Sequence, residues 1–341
     1  MRCRTRDKLA RLGGLPGDAL GALDDFFERR RLRRGGESPL AWALLTPALA
    51  FLVMFALAPL AGAVYMSMFD YGRFDAVFAG LGNYTRVLGD PAFRNSVRVT
   101  VWYTIGVVPP TLVLSFAVAF LLRGAVRGRG LLRTVYFLPY VTSTVAAAMV
   151  WRVLFRHPGG VANTLLERLG LPAQQWLIER DGVLHLLSGG VLPEDFGPSL
   201  ALCCVILFDI WHGAGFMVVI WLAGLTAIPR ELEEAARIDG AGPFQRVWRV
   251  VLPLLSPTLF FLLVVGIIRA LQAFNSFYAL TQNPQKAPFH ATQNIILFVY
   301  DQLYRQHNPG YGAAAAVLFT LAIVVLTLVQ WRFIGRRVYY A

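Results

Sequence analysis

The chain has 341 residues, of which 56% are hydrophobic and only 15% are charged. A soluble protein of this length would need more charge to cover its surface, so these proportions exclude the soluble globular class. The net charge of +12 would suit nucleic-acid binding, but the arginines lie beside apolar runs and form no patch with interleaved aromatic residues. The composition therefore indicates an integral membrane protein that binds no nucleic acid and whose basic residues flank its spans.

The segment 1–38 is polar and rich in arginine, with RRRLRR at 29–34. It has no apolar run of the kind found in a cleavable signal peptide, so we expect insertion to begin at the first span. We expect this segment to be a basic cytoplasmic tail, because anionic lipid headgroups attract arginine.

Six apolar runs follow, each long enough to cross a bilayer at about 20 residues per crossing. The predicted fold is therefore an all-α polytopic membrane protein with six transmembrane helices in one domain, 39–341. The predicted spans are 39–68, 99–122, 134–153, 199–224, 254–276 and 311–331.

The arginines give the orientation of these spans. The basic tail, the arginine-rich connection 123–133 and the C-terminal Arg332, Arg336 and Arg337 share one side only if the number of spans is even. The positive-inside rule then places both termini in the cytoplasm. The connection 154–198 would face outward.

The fourth and fifth spans are joined by a polar cytoplasmic segment, 225–256. Pro229 suits the first turn of a helix, and the glutamates that follow it are favoured by the helix dipole. Gly240 can end this helix in the left-handed conformation, and Gly242-Pro243 can start another. The segment could rest on lipid headgroups, but its acidic first helix favours docking to a protein over an amphipathic lipid-bound helix.

Within this segment, EAARIDGAGPFQRVWRVVLPLL resembles the EAA motif of ABC-importer permeases. Val250 stands where the family usually has isoleucine. The resemblance extends to 81–104, 127–155 and 209–232, and it points to the first permease of maltose- or glycerol-3-phosphate-type carbohydrate importers. The matching motif positions are Glu234, Ala235, Ala236, Asp239, Gly240, Ala241, Leu252 and Pro253.

The resemblance implies an ABC type I importer permease fold with cytoplasmic coupling helices that sit in a groove of an ATP-binding subunit. It also implies a location in the plasma (bacterial inner) membrane. Besides membrane lipid, it implies three kinds of protein partner: a second homologous permease, two ATP-binding subunits and an extracytoplasmic solute-binding protein. The expected function is import of a sugar or related polyol by alternating access, or of glycerol-3-phosphate. The connection 154–198 could contact the binding protein or the partner permease, or form a passive cap.

The energy source is expected to lie in another chain. A Walker A phosphate loop needs a lysine directly after glycine, and neither Lys8 nor Lys286 follows one. We therefore expect no ATPase activity and no cofactor in this chain, with ATP and magnesium bound by the partner. The cysteines and histidines show no metal-ligand spacing, and nothing supports a membrane-embedded enzyme.

An ion-coupled secondary transporter is the alternative class, and it would ordinarily carry carboxylates in its spans. Asp209 is the one candidate, with Arg269 as its basic counterpart.

Aromatic and amide side chains near the end of the fifth span suit a sugar, although polar residues also serve helix packing. The family's glycine-rich stretch after this span is replaced here by TQNPQ at 281–285. The predicted substrate-pathway residues are Asp209, Trp211, Arg269, Gln272, Phe274, Asn275, Ser276 and Tyr278.

Overall fold

In the residues that it describes, the computed structural model is mostly helical, with one small β-hairpin. The predicted tail at 1–38, Arg336, Arg337 and most of TQNPQ lie outside the residues that the structure describes. The described residues are 39–72, 75–124, 128–179, 181–183, 185, 188, 191, 197–281 and 291–335.

Most of the described residues belong to helices of very different lengths, and the two short strands form an antiparallel hairpin. Two five-residue segments, Val53–Leu57 and Val247–Val251, are π-helical. The elements are α1 (Pro39–Leu52), α2 (Ala58–Ser67), β1 (Phe69–Tyr71), β2 (Ala76–Phe78), α3 (Gly82–Gly89), α4 (Pro91–Arg123), α5 (Arg129–Val141), α6 (Thr144–Leu154), α7 (Val161–Arg168), α8 (Leu200–Ala227), α9 (Arg230–Ile238), α10 (Pro243–Arg246), α11 (Leu252–Leu254), α12 (Ser256–Leu271), α13 (Asn275–Thr281), α14 (Ile295–Tyr304) and α15 (Pro309–Phe333).

Four helical segments in the described part of the chain are long and apolar enough to cross a membrane: Leu44–Ser67, α4, α8 and α15. Two further helix pairs have the required length and composition but are bent at a short break. The bend is 96° between α5 and α6, and 71° between Pro243–Leu254 and α12. If each bent pair counts as one span, the number is six, in agreement with the sequence prediction.

The structure forms two units, residues 1–61 and 62–341. In the first, the described residues form α1, the π-helical turn and the start of α2, and their apolar side chains from Leu44 onward are exposed. The second unit contains every candidate site residue.

Two predicted spans differ from the structure in their bounds. The second span begins at Pro91 instead of residue 99, because Asp90 caps the helix: its Oδ1 accepts a hydrogen bond from the Ala92 amide at 2.7 Å. The fifth predicted span, 254–276, is not one helix. Helix α12 ends at Leu271, and Asn275 begins the separate helix α13.

The third span is broken at Thr142 and Ser143, which the hydrophobic pattern did not indicate. The Thr142 hydroxyl donates to the Pro139 carbonyl at 2.6 Å, and His212 Nε2 of α8 lies 3.4 Å from the Thr142 carbonyl oxygen. Helix α8 therefore contacts the broken corner directly. Close approach of the two elements requires Gly215, because a Cβ there would collide with the Tyr136 carbonyl.

The core of the second unit lies between α4, α8 and α12. Phe208 and Trp221 of α8 are fully buried, as is Leu262 of α12. A second cluster joins α14 and α15 to the start of α4, where the Tyr311 hydroxyl donates to Asp90 Oδ2 at 2.6 Å. Helix α8 contributes its middle, at Asp209, His212 and Gly213, to one of the two regions described next, and its C-terminal end leads into the other.

Candidate functional site

The polar segment between α8 and α12 has the two helices and the glycine turn that the sequence predicted. Helix α9 follows Pro229 and ends at Ile238, and Gly240 has a φ of +79°. Gly242 caps α10, and its amide donates to Gln245 Oε1 at 3.2 Å. Two helices at a glycine turn result, and we call residues 229–255 the coupling loop.

The coupling loop exposes large apolar side chains. Ile238 is 86% exposed, Phe244 75% and Trp248 58%, and the rings of Phe244 and Trp248 are 5.8 Å apart. Below them, Val251 and Leu255 are buried and anchor the loop to the core. An anchored loop with an exposed apolar surface has the form of a docking site for another protein.

The residues of the predicted motif divide between this surface and its base. Glu234 and Ala235 are exposed on α9, and Asp239 and Gly240 are exposed at the turn. Ala236, Ala241 and Leu252 are partly buried, whereas Pro253 is exposed.

One contact of the coupling loop had no signal in the sequence. Arg123, the last residue of α4, forms an ion pair with Glu233 of α9, and each side chain is only 20% exposed. The two residues are 110 positions apart in the chain. This pair joins the end of a predicted span to the first coupling helix.

A second region is a cavity of about 190 Å³ between α4, α8 and α12, which we call the central cavity. The structure brings six of the eight predicted pathway residues to its wall. Trp211 packs on Trp151 with ring centroids 5.3 Å apart, and Tyr278 stacks on Phe274 at 5.3 Å. Neither Trp211 nor Tyr278 lines the cavity. The predicted residues that line it are Asp209, Arg269, Gln272, Phe274, Asn275 and Ser276.

Asp209 is held by a hydroxyl group of another helix. The Tyr103 hydroxyl of α4 donates to Asp209 Oδ2 at 2.7 Å, and the buried Ser276 lines the same cavity. Tyr103, together with His212 and Thr144 on the cavity wall, was not predicted from the sequence. Each lies in an apolar run, so only the packing of separate helices shows its position.

Arg269 is placed by aromatic rings. Its guanidinium lies 5.3 Å from the centroid of the Tyr140 ring and 5.4 Å from that of Phe216, and these two rings stack on each other. Within the described residues, Arg269 forms no ion pair. The central cavity therefore combines one fixed guanidinium, a hydrogen-bonded carboxylate and the amides of Gln272 and Asn275.

The chain is similar to known membrane transport proteins. Residues 111–339 match the family described as binding-protein-dependent transport system inner membrane component. The chain is 32% identical over 308 residues to the sn-glycerol-3-phosphate transport system permease protein UgpA of Agrobacterium fabrum (strain C58 / ATCC 33970), covering 88% of this chain and 96% of that protein. It is 31% identical over 302 residues to the trehalose/maltose transport system permease protein MalF of Thermococcus litoralis, covering 88% and 95%.

The fold is also similar to solved structures. A bacterial ABC transporter involved in the import of the acidic polysaccharide alginate matches with a TM-score of 0.70 and 21% identity, covering 87% of this chain and 95% of that one. The alginate transporter in complex with an alginate pentasaccharide-bound periplasmic protein matches with a TM-score of 0.71 and 22% identity, covering 87% and 94%. At these identities the likeness concerns the fold alone.

Proposed function

The chain belongs to the family of binding-protein-dependent transport system inner membrane components, and from this premise we propose that it is the permease of an ATP-driven importer for a sugar or related polyol. The relatives named for glycerol-3-phosphate and for trehalose and maltose support this class of solute. Solute would pass by alternating access, with a solute-binding protein delivering it on the outer side.

The proposed energy source is a separate ATP-binding chain that docks on the coupling loop. The observation that carries this proposal is the exposed apolar surface of Ile238, Phe244 and Trp248, which lies beside the acidic helix α9. No lysine follows a glycine anywhere in the sequence, so a Walker A loop is missing. ATP and magnesium would therefore bind to the partner, and this chain would be a transport subunit without catalysis of its own.

Movement of the ATP-binding subunits would reach the solute site through the ends of the spans. When the ATP-binding subunits close, α9 and α10 would move with them because Val251 and Leu255 tie the loop to the core. The Arg123–Glu233 pair would pass the same displacement to α4. Since α4 and α8 form the wall of the central cavity, the displacement would change which side of the membrane the cavity faces.

A pore of this kind needs a second, homologous permease to form its other wall, and the complex would contain two ATP-binding subunits. Both termini would lie in the cytoplasm, on the side of the coupling loop. Within the central cavity, Gln272 and Asn275 would hydrogen-bond to solute hydroxyls, and Phe274 would stack on a sugar ring. Trp211 and Tyr278 are outside this cavity and would meet the solute only at another point of the path.

A glycerol-3-phosphate importer is the second candidate function, and Arg269 favours it. A phosphate ester needs a fixed positive charge in the path, and this guanidinium lines the cavity without an ion pair among the described residues. Uptake competition between glycerol-3-phosphate and maltose in cells that express the whole importer would separate the two candidates.

Docking can be tested with the purified chain in nanodiscs and the ATP-binding subunit of the proposed importer. We expect the double variant Phe244→Ser/Trp248→Ser to lose co-purification with that protein. Trp331→Ser is the matched control, since Trp331 is exposed at the end of α15 and outside the coupling loop. Equal co-purification of wild type and double variant would refute docking at this surface.

Coupling is tested separately in proteoliposomes with the complete importer. We expect Glu234→Ala, which changes an exposed α9 side chain, to reduce solute uptake per ATP hydrolysed while the protein stays inserted. The ion-coupled alternative gives a different result: this chain alone would take up solute under an ion gradient without ATP, and Asp209→Asn would abolish that uptake.

A further inference from the structure

A second cavity, of about 560 Å³, lies at the end of α6, and no residue of the coupling loop is among its described lining residues. Its volume is within the range of small-molecule sites. One wall is the end of α6 with the residues after it, another is the segment around Gln175, and α13 closes it. We call it the arginine pocket, after the residues that define it: Arg152, Arg156, His157, Gln175, Leu280 and Thr281.

Among the described residues, the arginine pocket has positive charge without a counter-charge. Arg152 and Arg156 form no ion pair and no side-chain hydrogen bond within the described residues. No carboxylate lines the pocket in that part of the chain. Glu179 is the next residue in the chain after the lining residue Ile178, and it already has an interaction partner. Two guanidinium groups on one cavity without an acid are suited to an anionic group, which each can bind through paired N–H donors.

A buried amide fixes the wall of the pocket. Asn163 is fully buried, and its Oδ1 accepts from the Gln174 amide at 2.9 Å and from Trp176 Nε1 at 2.8 Å. Its Nδ2 therefore is the donor, to the Gln174 carbonyl at 3.0 Å and to His157 Nδ1 at 3.3 Å. Because Nδ1 of His157 accepts, its proton is on Nε2, which is a third donor available to the pocket.

We propose that the arginine pocket is a binding site for a carboxylate or phosphate group, with Arg152, Arg156 and His157 Nε2–H as its donors. The site concerns binding by this chain alone and does not depend on ATP-driven transport. The anionic group can belong to a soluble sugar acid or phosphate ester, or to an anionic lipid headgroup. The chemistry of recognition is the same in both cases, so the source is decided by experiment.

The position of α13 gives the site its place in the molecule. Leu280 and Thr281 at the end of α13 line the arginine pocket, whereas Asn275 and Ser276 at its start line the central cavity. A seven-residue helix is about 10 Å long at 1.5 Å per residue. A soluble anion in the arginine pocket would therefore be one short helix away from the central cavity.

Soluble anions are tested by calorimetric titration of the full chain in phosphatidylcholine nanodiscs at low ionic strength. Glucuronate and glycerol-3-phosphate are the probes, and glucose and glycerol are their uncharged controls. We expect only the anions to bind. The double variant Arg152→Gln/Arg156→Gln should bind them more weakly, by about tenfold or more for each charge-assisted hydrogen bond that it loses. The corresponding double lysine variant should retain part of the affinity. Arg168→Gln, on the exposed face of α7, should leave it unchanged.

The lipid source is tested with nanodiscs that contain phosphatidylglycerol, by native mass spectrometry. Retention of phosphatidylglycerol by wild type and its loss in the double glutamine variant would assign the site to a headgroup. Binding of the soluble probes with the same arginine dependence would assign it to a solute. If the double variant matches wild type in both experiments, or if the uncharged controls bind as well as the anions, the proposal is wrong.

Discussion

The ion pair between Arg123 and Glu233 gives the sharpest test of how the coupling loop is held. Both side chains are four-fifths buried, so Arg123→Gln would leave the Glu233 carboxylate largely desolvated without its partner. An unsatisfied buried group of this kind costs about 1–3 kcal/mol. Because α9 can relieve this cost by leaving its position, we expect the variant to bind the ATP-binding subunit roughly 5- to 150-fold more weakly.

A double-mutant cycle measures this interaction. The affinity of the chain in nanodiscs for the ATP-binding subunit is determined for wild type, Arg123→Gln, Glu233→Gln and the double variant. We expect the double variant to bind more tightly than the sum of the single losses predicts, by about 0.5–3 kcal/mol. Arg332→Gln is the matched control, because Arg332 is exposed at the end of α15, outside the coupling loop, and forms no ion pair in the described part of the chain.

Strict additivity of the two changes would refute the reasoning, because it would mean that the two charges do not act on each other when the partner binds. A loss of affinity in Arg332→Gln as large as in Arg123→Gln would also refute it. In that case general positive charge on the chain, and not the pair, would account for binding.

Two further predictions concern the contacts around the central cavity. Gly215→Ala should lower the thermal unfolding midpoint in detergent, because the added Cβ would collide with the Tyr136 carbonyl and cost about 1–3 kcal/mol. Gly213→Ala is the control and should leave the midpoint unchanged, because a Cβ there meets no atom within 4 Å. Equal midpoints for the two variants would contradict the close packing of α8 on α5. Tyr103→Phe removes the hydroxyl that donates to Asp209. We expect this variant to change the KM for solute uptake by the whole importer, while its affinity for the ATP-binding subunit stays at the wild-type value. An unchanged KM would show that this hydrogen bond does not affect solute binding.

Some features could be predicted from the sequence because they depend on neighbours in the chain. The apolar runs gave the six crossings, and Gly240 and Pro243 gave the turn and the second start of the coupling loop, where the structure has φ +79° and a first-turn proline. The break of the third span at Thr142 was missed, because it depends on a contact with His212 of another helix. The hydrophobic pattern indicates which residues of a helix are buried, and it carries no information about a break such as the one between α5 and α6.

The sequence alone thus determined the membrane class, the family resemblance and the helix–turn–helix form of the segment between α8 and α12, because composition, run length and local turn chemistry are properties of contiguous residues. The tertiary structure decided which side chains meet. Tyr103 reaches Asp209 across 106 positions, and Arg123 reaches Glu233 across 110. The arginine pocket needs α6, the loop after it and α13 together. Such contacts arise when separate helices pack, and long apolar runs that look alike in sequence do not show which faces will touch.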